Sequence, residues 1–509
     1  MGQSNGISVK KIGMIGVGNM GGMMSLLFAE HGVEVHFYDP SEENTHKLLD
    51  RAKEAKIKAK IFHEKDYKAL CRCLDVPKIF VFSLPHGDIG DKTVEGLRPS
   101  LEPGDIIMDA SNEHWLNTER RQGLLEPSGI HYIGMGVSGG YQSARHGPSI
   151  SPGGSKEALS KIMPFLQKVA AKDKHGRPCT ISVGPGGSGH YVKMVHNGIE
   201  QAMMSTLCEI WTIMHKNLNM SFEEIASVWA SWNKSGSLRD NFLISIGVDI
   251  CCTKDPNDAS KFLLANIRDK VVQDTDETEG TGTWTCQEAF SLHVSAPTIA
   301  AAHLFRLQSA DAARRLNVFK SLPKDFQIHP LEITSVSRHQ LVADLHNAAY
   351  FSFLAAFIQG LHVILRASQK YSWQIDFASL MQLWRGGCII QSDGITELLE
   401  TAYRDNLHDT KDLLEHPLVI AQLCKTSAAI KRVVLHCGEA NAYIPSISAS
   451  LEYFKYSIST QLPTQFMEAE LDYFGGHMFD LKSENPGKPV TGKHHFEWEP
   501  ARGISEQNS

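Results

Sequence analysis

Five short apolar runs rich in β-branched and aromatic residues punctuate the first third of the chain: KKIGMIGV from residue 10, VEVHFYD from 33, KIFVFSL from 78, GDIIMDAS from 104 and IHYIGMGVS from 130. Each is short, apolar and flanked by turn residues, which predicts strands. Between them, residues 20–30 and 115–125 carry apolar positions at helical spacing. That alternation predicts a parallel, doubly wound α/β sheet of Rossmann type at the N-terminus. After about Gly187 the strand-like runs vanish, and long helical patterns such as 189–216 and 341–369 dominate. The expected organisation is a Rossmann-type domain over 1–187, a large all-helical domain over 188–486 and an extended C-terminal tail over 487–509. The tail has no periodicity and reads as a disordered terminus, although Phe496 and Trp498 would suit docking on a surface.

Composition narrows the class. The chain has 509 residues, enough for two or three domains. A formal net charge of −7 implies no basic face, so nucleic acid is not an expected partner. The apolar runs read as too short and interrupted to span a bilayer, so no membrane partner is expected either. No apolar signal core precedes the first strand, and Gly6 occupies the place where a myristoylation motif wants Ser or Thr. The ten cysteines form no CxxC pair. No metal site is expected, and a reducing, cytoplasmic setting is.

GVGNMG at 16–21 follows the first predicted strand and opens a helix. In that context G-x-G-x-x-G permits a tight turn, a close pyrophosphate and close helix packing. Gly16, Gly18, Asn19, Met20 and Gly21 are therefore expected to hold a dinucleotide. The second strand ends at Asp39, where a carboxylate accepts ribose hydroxyls and repels a 2′-phosphate. Pro40 and Ser41 follow, with no arginine to receive such a phosphate. NAD is expected in preference to NADP. The competing role for Asp39 is to cap the turn that follows.

On the segment GHYVKMVHNGIEQAMM, which starts at Gly189, Lys193, His196, Asn197 and Glu200 fall at i, i+3, i+4 and i+7. They share one helical face, facing either water or a cleft. A lysine and a glutamate two turns apart are spaced to hold a small substrate between a base and an acid. GSGHYVKMVHNGIE at 187–200 closely resembles the catalytic helix of the 6-phosphogluconate dehydrogenases, within the β-hydroxyacid dehydrogenases. GVSGG at 136–140, ARHGPSISPGG at 144–154, GTGTWT at 280–285, LWRGGCII at 383–390 and DYFGGH at 472–477 resemble that family in the same order.

The resemblance implies oxidative decarboxylation of a β-hydroxy acid by hydride transfer to a nicotinamide cofactor, in a homodimer whose tails exchange. It implies that Lys193 takes the hydroxyl proton and then polarises the ketone, and that Glu200 protonates the enediol. Asn112 would meet nicotinamide and substrate, Ser138, Gly139 and Gly140 the substrate carboxylate, and His196 and Asn197 its hydroxyl and carboxylate. A base must be neutral, which a desolvated cleft favours for lysine.

The phosphate pocket departs from the family pattern. Gln201 replaces a tyrosine, Glu279 a lysine, Leu471 an arginine, and Leu307 a further arginine, with Arg306 one position early; Thr281 and His477 remain. A unit charge pair at about 4 Å is worth roughly 4 kcal/mol at an effective dielectric near 20. Exchanging Lys for Glu would thus weaken phosphate binding by roughly a thousandfold even when mostly screened. Asp276, Glu277 and Glu279 crowd the approach to a Gly-Thr-Gly turn otherwise suited to an anion. The reading is an NAD-preferring decarboxylase of an unphosphorylated hydroxy acid. Its alternatives are an NADP-dependent 6-phosphogluconate dehydrogenase and a non-catalytic NAD(P)-binding regulator.

Overall fold

The computed structural model describes residues 6–274, 280–326, 329–405, 412–485 and 492–498. Glu279, with its neighbours Asp276 and Glu277, lies outside the described residues. The chain forms two compact units, Met1–Tyr453 and Phe454–Ser509.

The first unit begins with a seven-stranded sheet: β1 Lys11–Ile15, β2 Glu34–Tyr38, β3 Ile61–His63, β4 Ile79–Phe82, β5 Ile106–Asp109, β6 His131–Ser138 and β7 Ser149–Gly153. Its order is β3-β2-β1-β4-β5-β6-β7, with every pair parallel except β6 and β7. This is the doubly wound order, whose switch point lies between β1 and β4. Both faces are covered, which explains the continuous apolar runs. Ile12, Met14, Val81 and Met108 point into one core with Phe28 and Phe165, whereas Phe80, Phe82 and Ile107 point into the other with Leu97 and Leu125.

The remainder of this unit is mainly helical. The helix Ser188–Thr212 has 25 residues, of which 20 are buried, and ends in a π-turn at Ile213–Asn217. The helix Arg338–Tyr371 packs along it and along Pro417–Glu439. Contrary to the expectation from apolar runs, Arg338–Tyr371 is long and apolar enough to cross a bilayer; 94% of its most apolar window is buried inside the fold, so it is a core helix. The region is also not wholly helical. β8 Lys254–Asp255 and β9 Asp258–Phe262 form a hairpin. Its turn is made by Pro256 and Asn257, whose N–H donates to the Asp255 carboxylate at 2.8 Å, and Phe262 packs on Phe222.

In the second unit, the helix Thr464–Gly475 carries the buried Asp472. Its carboxylate accepts from Met478 N–H (2.9 Å), Phe496 N–H (3.2 Å), Trp498 Nε1 (2.8 Å) and His495 Nδ1 (2.9 Å). One carboxylate thereby folds residues 492–498 back onto this helix, so this part of the tail is ordered rather than a free terminus.

Candidate active site

At the switch point, Gly16 has φ +84°, and a Cβ there would lie 2.3 Å from the Ser83 carbonyl oxygen. A Cβ on Gly21 would lie 2.0 Å from the Gly16 carbonyl oxygen, so the third glycine lets the helix Asn19–Glu30 sit against the loop. A Cβ on Gly18 would meet no protein atom within 4 Å: the space it would enter is open. That helix has no acidic residue in its first turn, so its N–H groups present uncompensated positive potential. Asn19 is exposed and Met20 half-buried against the core. The cradle fits a pyrophosphate.

Asp39 holds this loop. Its Oδ2 accepts from Val17 N–H at 2.7 Å and its Oδ1 from Ser41 N–H at 2.8 Å. Asn44 Nδ2 approaches both oxygens at 3.4–3.5 Å. The turn-capping role and a position at the mouth of the dinucleotide loop therefore coexist. Pro40 is exposed beside it.

The predicted catalytic stripe is not a solvent-facing ladder. Lys193, His196 and Asn197 are all more than nine-tenths buried. Lys193 Nζ donates to Asn197 Oδ1 at 2.7 Å and reaches Ser138 Oγ at 3.4 Å. His196 Nε2 lies 2.8 Å from Ser138 Oγ, and its Nδ1 lies 3.1 Å from Asn197 Oδ1. Burial, reinforced by the neighbouring Lys193, holds this imidazole well below its ordinary pKa. It is therefore neutral, and one tautomer satisfies every contact: Nδ1–H donates to Asn197, and Nε2 accepts from the Ser138 hydroxyl. Glu200, one turn further, places a carboxylate oxygen 3.6 Å from His196 Nδ1.

Glycines let this helix approach the sheet. A Cβ on Gly136 in β6 would lie 2.4 Å from Lys193 Cβ, and one on Gly189 would lie 2.1 Å from the Gly134 carbonyl oxygen. Ser151 Oγ donates in the same crevice, within 3.1–3.2 Å of the Gly136 and Gly189 carbonyls. Ser138 ends β6, and Gly139 and Gly140 follow at positive φ, so the expected substrate turn lies directly against the lysine.

The Gly-Thr-Gly segment is the start of a helix rather than a turn: Gly280 is the N-cap of Thr281–Ser291. Thr281 Oγ accepts from Asn197 Nδ2 at 2.9 Å, which joins this helix start to the lysine cluster. Gln201 is buried, and its Oε1 meets His303 Nδ1 at 3.2 Å; His303 Nε2 in turn meets Thr283 Oγ at 3.1 Å. Arg306 is half-buried and Leu307 exposed on the helix Pro297–Ala310. In the second unit His477 is exposed beside Phe474. Asn112 is exposed just beyond the carboxyl end of β5.

Several supporting residues carry no local sequence signal. His190 Nε2 lies 2.9 Å from the Asp109 carbonyl oxygen and its Nδ1 lies 2.6 Å from Thr118 Oγ, so it pins the helix Ser188–Thr212 to the end of β5. Arg121 is 1% exposed. It donates to Glu113 (2.8 Å), Asp91 (2.8 Å) and the Gly87 carbonyl (2.8 Å), bracing the loops that follow β4 and β5. Their partners are distant in sequence, so no spacing rule finds them.

The chain matches two family models: the NAD binding domain of 6-phosphogluconate dehydrogenase over residues 11–184, and the 6-phosphogluconate dehydrogenase C-terminal domain over 189–498. It is 45% identical to the decarboxylating 6-phosphogluconate dehydrogenase of Emericella nidulans, over 95% of this chain and 100% of that protein. It is 33% identical to the NADP(+)-dependent, decarboxylating enzyme of Bacillus subtilis, over 97% of this chain and 100% of that one. The Plasmodium falciparum 6-phosphogluconate dehydrogenase, solved in its apo form, with NADP+ and with 6-phosphogluconate, superposes with a TM-score of 0.86 at 31% identity, covering 96% of this chain and 100% of that one. With both family models matched across nearly its whole length, the chain belongs to the 6-phosphogluconate dehydrogenase family and is an NAD(P)-dependent decarboxylating dehydrogenase.

Proposed function

We propose that the chain oxidises and decarboxylates 6-phosphogluconate, the substrate in its relatives' names. The observation that carries the chemistry is the buried Lys193–Asn197–Ser138–His196 cluster. A dinucleotide held at Gly16, Gly18 and Gly21 would supply the nicotinamide that takes up the hydride. Asn197 and Ser138 aim Lys193 Nζ, which takes the proton from the reacting hydroxyl and returns it as a hydrogen bond to the resulting ketone. That bond stabilises the negative charge left on oxygen as carbon dioxide departs. Glu200, on the same face, delivers a proton to carbon. Ser138, Gly139 and Gly140 bind the substrate carboxylate, and Asn112 guides it toward the nicotinamide. The active species is a homodimer with exchanged tails.

A second reading, an unphosphorylated hydroxy acid, is favoured by one observation. Where the family pattern calls for tyrosine, Gln201 is held by His303 and Thr283 in a hydrogen-bonded group well suited to hydroxyls. Glu279, Thr281, Arg306 and His477 are the remaining residues assigned to that end of the substrate. For the cofactor we propose a preference for NAD, because Asp39 sets a carboxylate where NADP needs a cation.

A panel of phosphorylated and unphosphorylated β-hydroxy acids, assayed with NAD and with NADP for both reduction and carbon dioxide release, decides among these. Efficient turnover of 6-phosphogluconate supports the first reading and overturns the second. Turnover confined to unphosphorylated acids does the opposite, and Glu279→Lys combined with Leu471→Arg should then improve affinity for the phosphorylated acid. NADP used at least as well as NAD would refute the cofactor preference. NAD(P) binding with no turnover of any acid would identify a regulator.

A further inference from the structure

Arg385 takes no part in the site described above, yet it is almost wholly buried. Its Nε donates to Glu400 at 3.0 Å, and Nη2 reaches the same carboxylate. Nη1 lies 3.7 Å from Glu397 and 3.9 Å from Asp393. These three carboxylates fall at i, i+4 and i+7 on the helix Asp393–Arg404, and so form one acidic face. Lys174, Arg177 and Arg404 neutralise its outer edge. A buried guanidinium set so firmly fixes the backbone that carries it.

That backbone is the segment from Leu383 to Cys388. The Leu383 carbonyl accepts from Ser149 Oγ at 2.7 Å, and the Gly387 carbonyl accepts from Ser149 N–H at 2.9 Å. Ser149 is the register partner of Ser138. The Gly387 carbonyl also abuts Gly139 so closely that a Cβ there would lie 2.2 Å from it. The Trp384 ring packs edge-on to His196, with centroids 6.2 Å apart. One short segment therefore touches both the turn assigned to the substrate carboxylate and the imidazole that orders Ser138.

We propose that Arg385 is a positioning residue for the Ser138–Gly140 turn, acting through Gly387 and Trp384. The proposal rests on the assignment of that turn to substrate binding. Arg385 has no contact with the reacting atoms. Losing its fork leaves the backbone in place only loosely, and the carboxylate-binding geometry blurs before the cofactor cradle does.

The test is Arg385→Gln and Arg385→Lys in the full chain, with two readouts. The first is steady-state kinetics beside dinucleotide affinity. KM for the hydroxy acid should rise roughly tenfold to a hundredfold in Arg385→Gln, with dinucleotide affinity unchanged and Arg385→Lys intermediate. The second is amide hydrogen exchange, which needs no substrate. Exchange should quicken in peptides spanning 134–147 and stay level in those spanning 11–30. Faster exchange without a KM effect would show that the turn is misassigned while Arg385 still positions it. Unchanged exchange over 134–147 would overturn the proposal. If Arg385→Gln fails to fold, Glu397→Gln weakens the same cluster from its more exposed side and is read in the same way.

Discussion

Lys193 is held from two directions, by Asn197 Oδ1 and by Ser138 Oγ, and its neighbour His196 is kept neutral by burial and by the lysine itself. A neutral imidazole adds no competing positive charge beside the base, and its lone pair orients the Ser138 hydroxyl. Removing the amine should therefore leave the cradle at Gly16–Gly21 intact while removing the proton acceptor. Lys193→Met is expected to lower kcat by about two to four orders of magnitude. Dinucleotide affinity, read by fluorescence titration, should change little. A variant with near-normal kcat on the substrate that the panel identifies would disprove the assigned role. The i, i+3, i+4, i+7 stripe made this cluster legible in sequence. His303, Arg121 and Arg385 were not legible, because each is defined by partners met only through the fold; Gln201 and His303 stand 102 residues apart.

At the scale of elements, Glu209 links the helix Ser188–Thr212 to the start of the helix Pro445–Ser457. Its carboxyl accepts from Ser446 N–H at 2.8 Å, Ile447 N–H at 3.0 Å and Ser205 Oγ at 2.9 Å. Burial outweighs these bonds and pushes its pKa from 4.5 up to about 7. The folded pKa exceeds the unfolded one. The native state is thus favoured below about pH 4.5, and that advantage is lost as pH rises through about 7. A shift of this size corresponds to about 3 kcal/mol. Glu209→Gln keeps an acceptor for the two N–H groups and removes the charge. Its stability relative to the unsubstituted protein, measured by denaturant unfolding, should improve between pH 5 and pH 8; a difference independent of pH would refute this. Elements differed in how readable they were. β1, β2, β4, β5 and β6 announce themselves as apolar runs because both faces of the sheet are covered. β3 is three residues long and partly exposed, and β7 reads Ser-Ile-Ser-Pro-Gly, with turn residues inside an antiparallel edge strand. The hairpin of β8 and β9 was masked by its polar composition.

For the whole molecule, each unit leaves large apolar side chains exposed. Phe290, Leu304, Val318 and Phe319 are more than half exposed in the first unit, as are Phe466, Met467 and Phe474 in the second. Where such side chains adjoin they suit burial against another macromolecule, and the proposed dimer would supply one. Light scattering coupled to size exclusion should return twice the chain mass of 56.4 kDa. A monomer at micromolar concentration would refute the dimer and with it the exchanged tails.

The near-complete burial of Ser188–Thr212 has a consequence for how this protein tolerates change. Only a stripe through Glu200, Met204, Cys208 and Thr212 reaches the surface, so few positions accept substitution and the proposed chemistry resides in a poorly adaptable element. Of the residues proposed for the far end of the substrate, Gln201 sits on this same helix, whereas Thr281 and Arg306 lie on two others. Substrate range is thereby separable from reaction type at Thr281 and Arg306 but not at Gln201. Variation at Thr281 and Arg306 should move the protein among hydroxy acids while proton transfer stays fixed, and a saturation mutagenesis map should show those two positions more tolerant of change than Gln201.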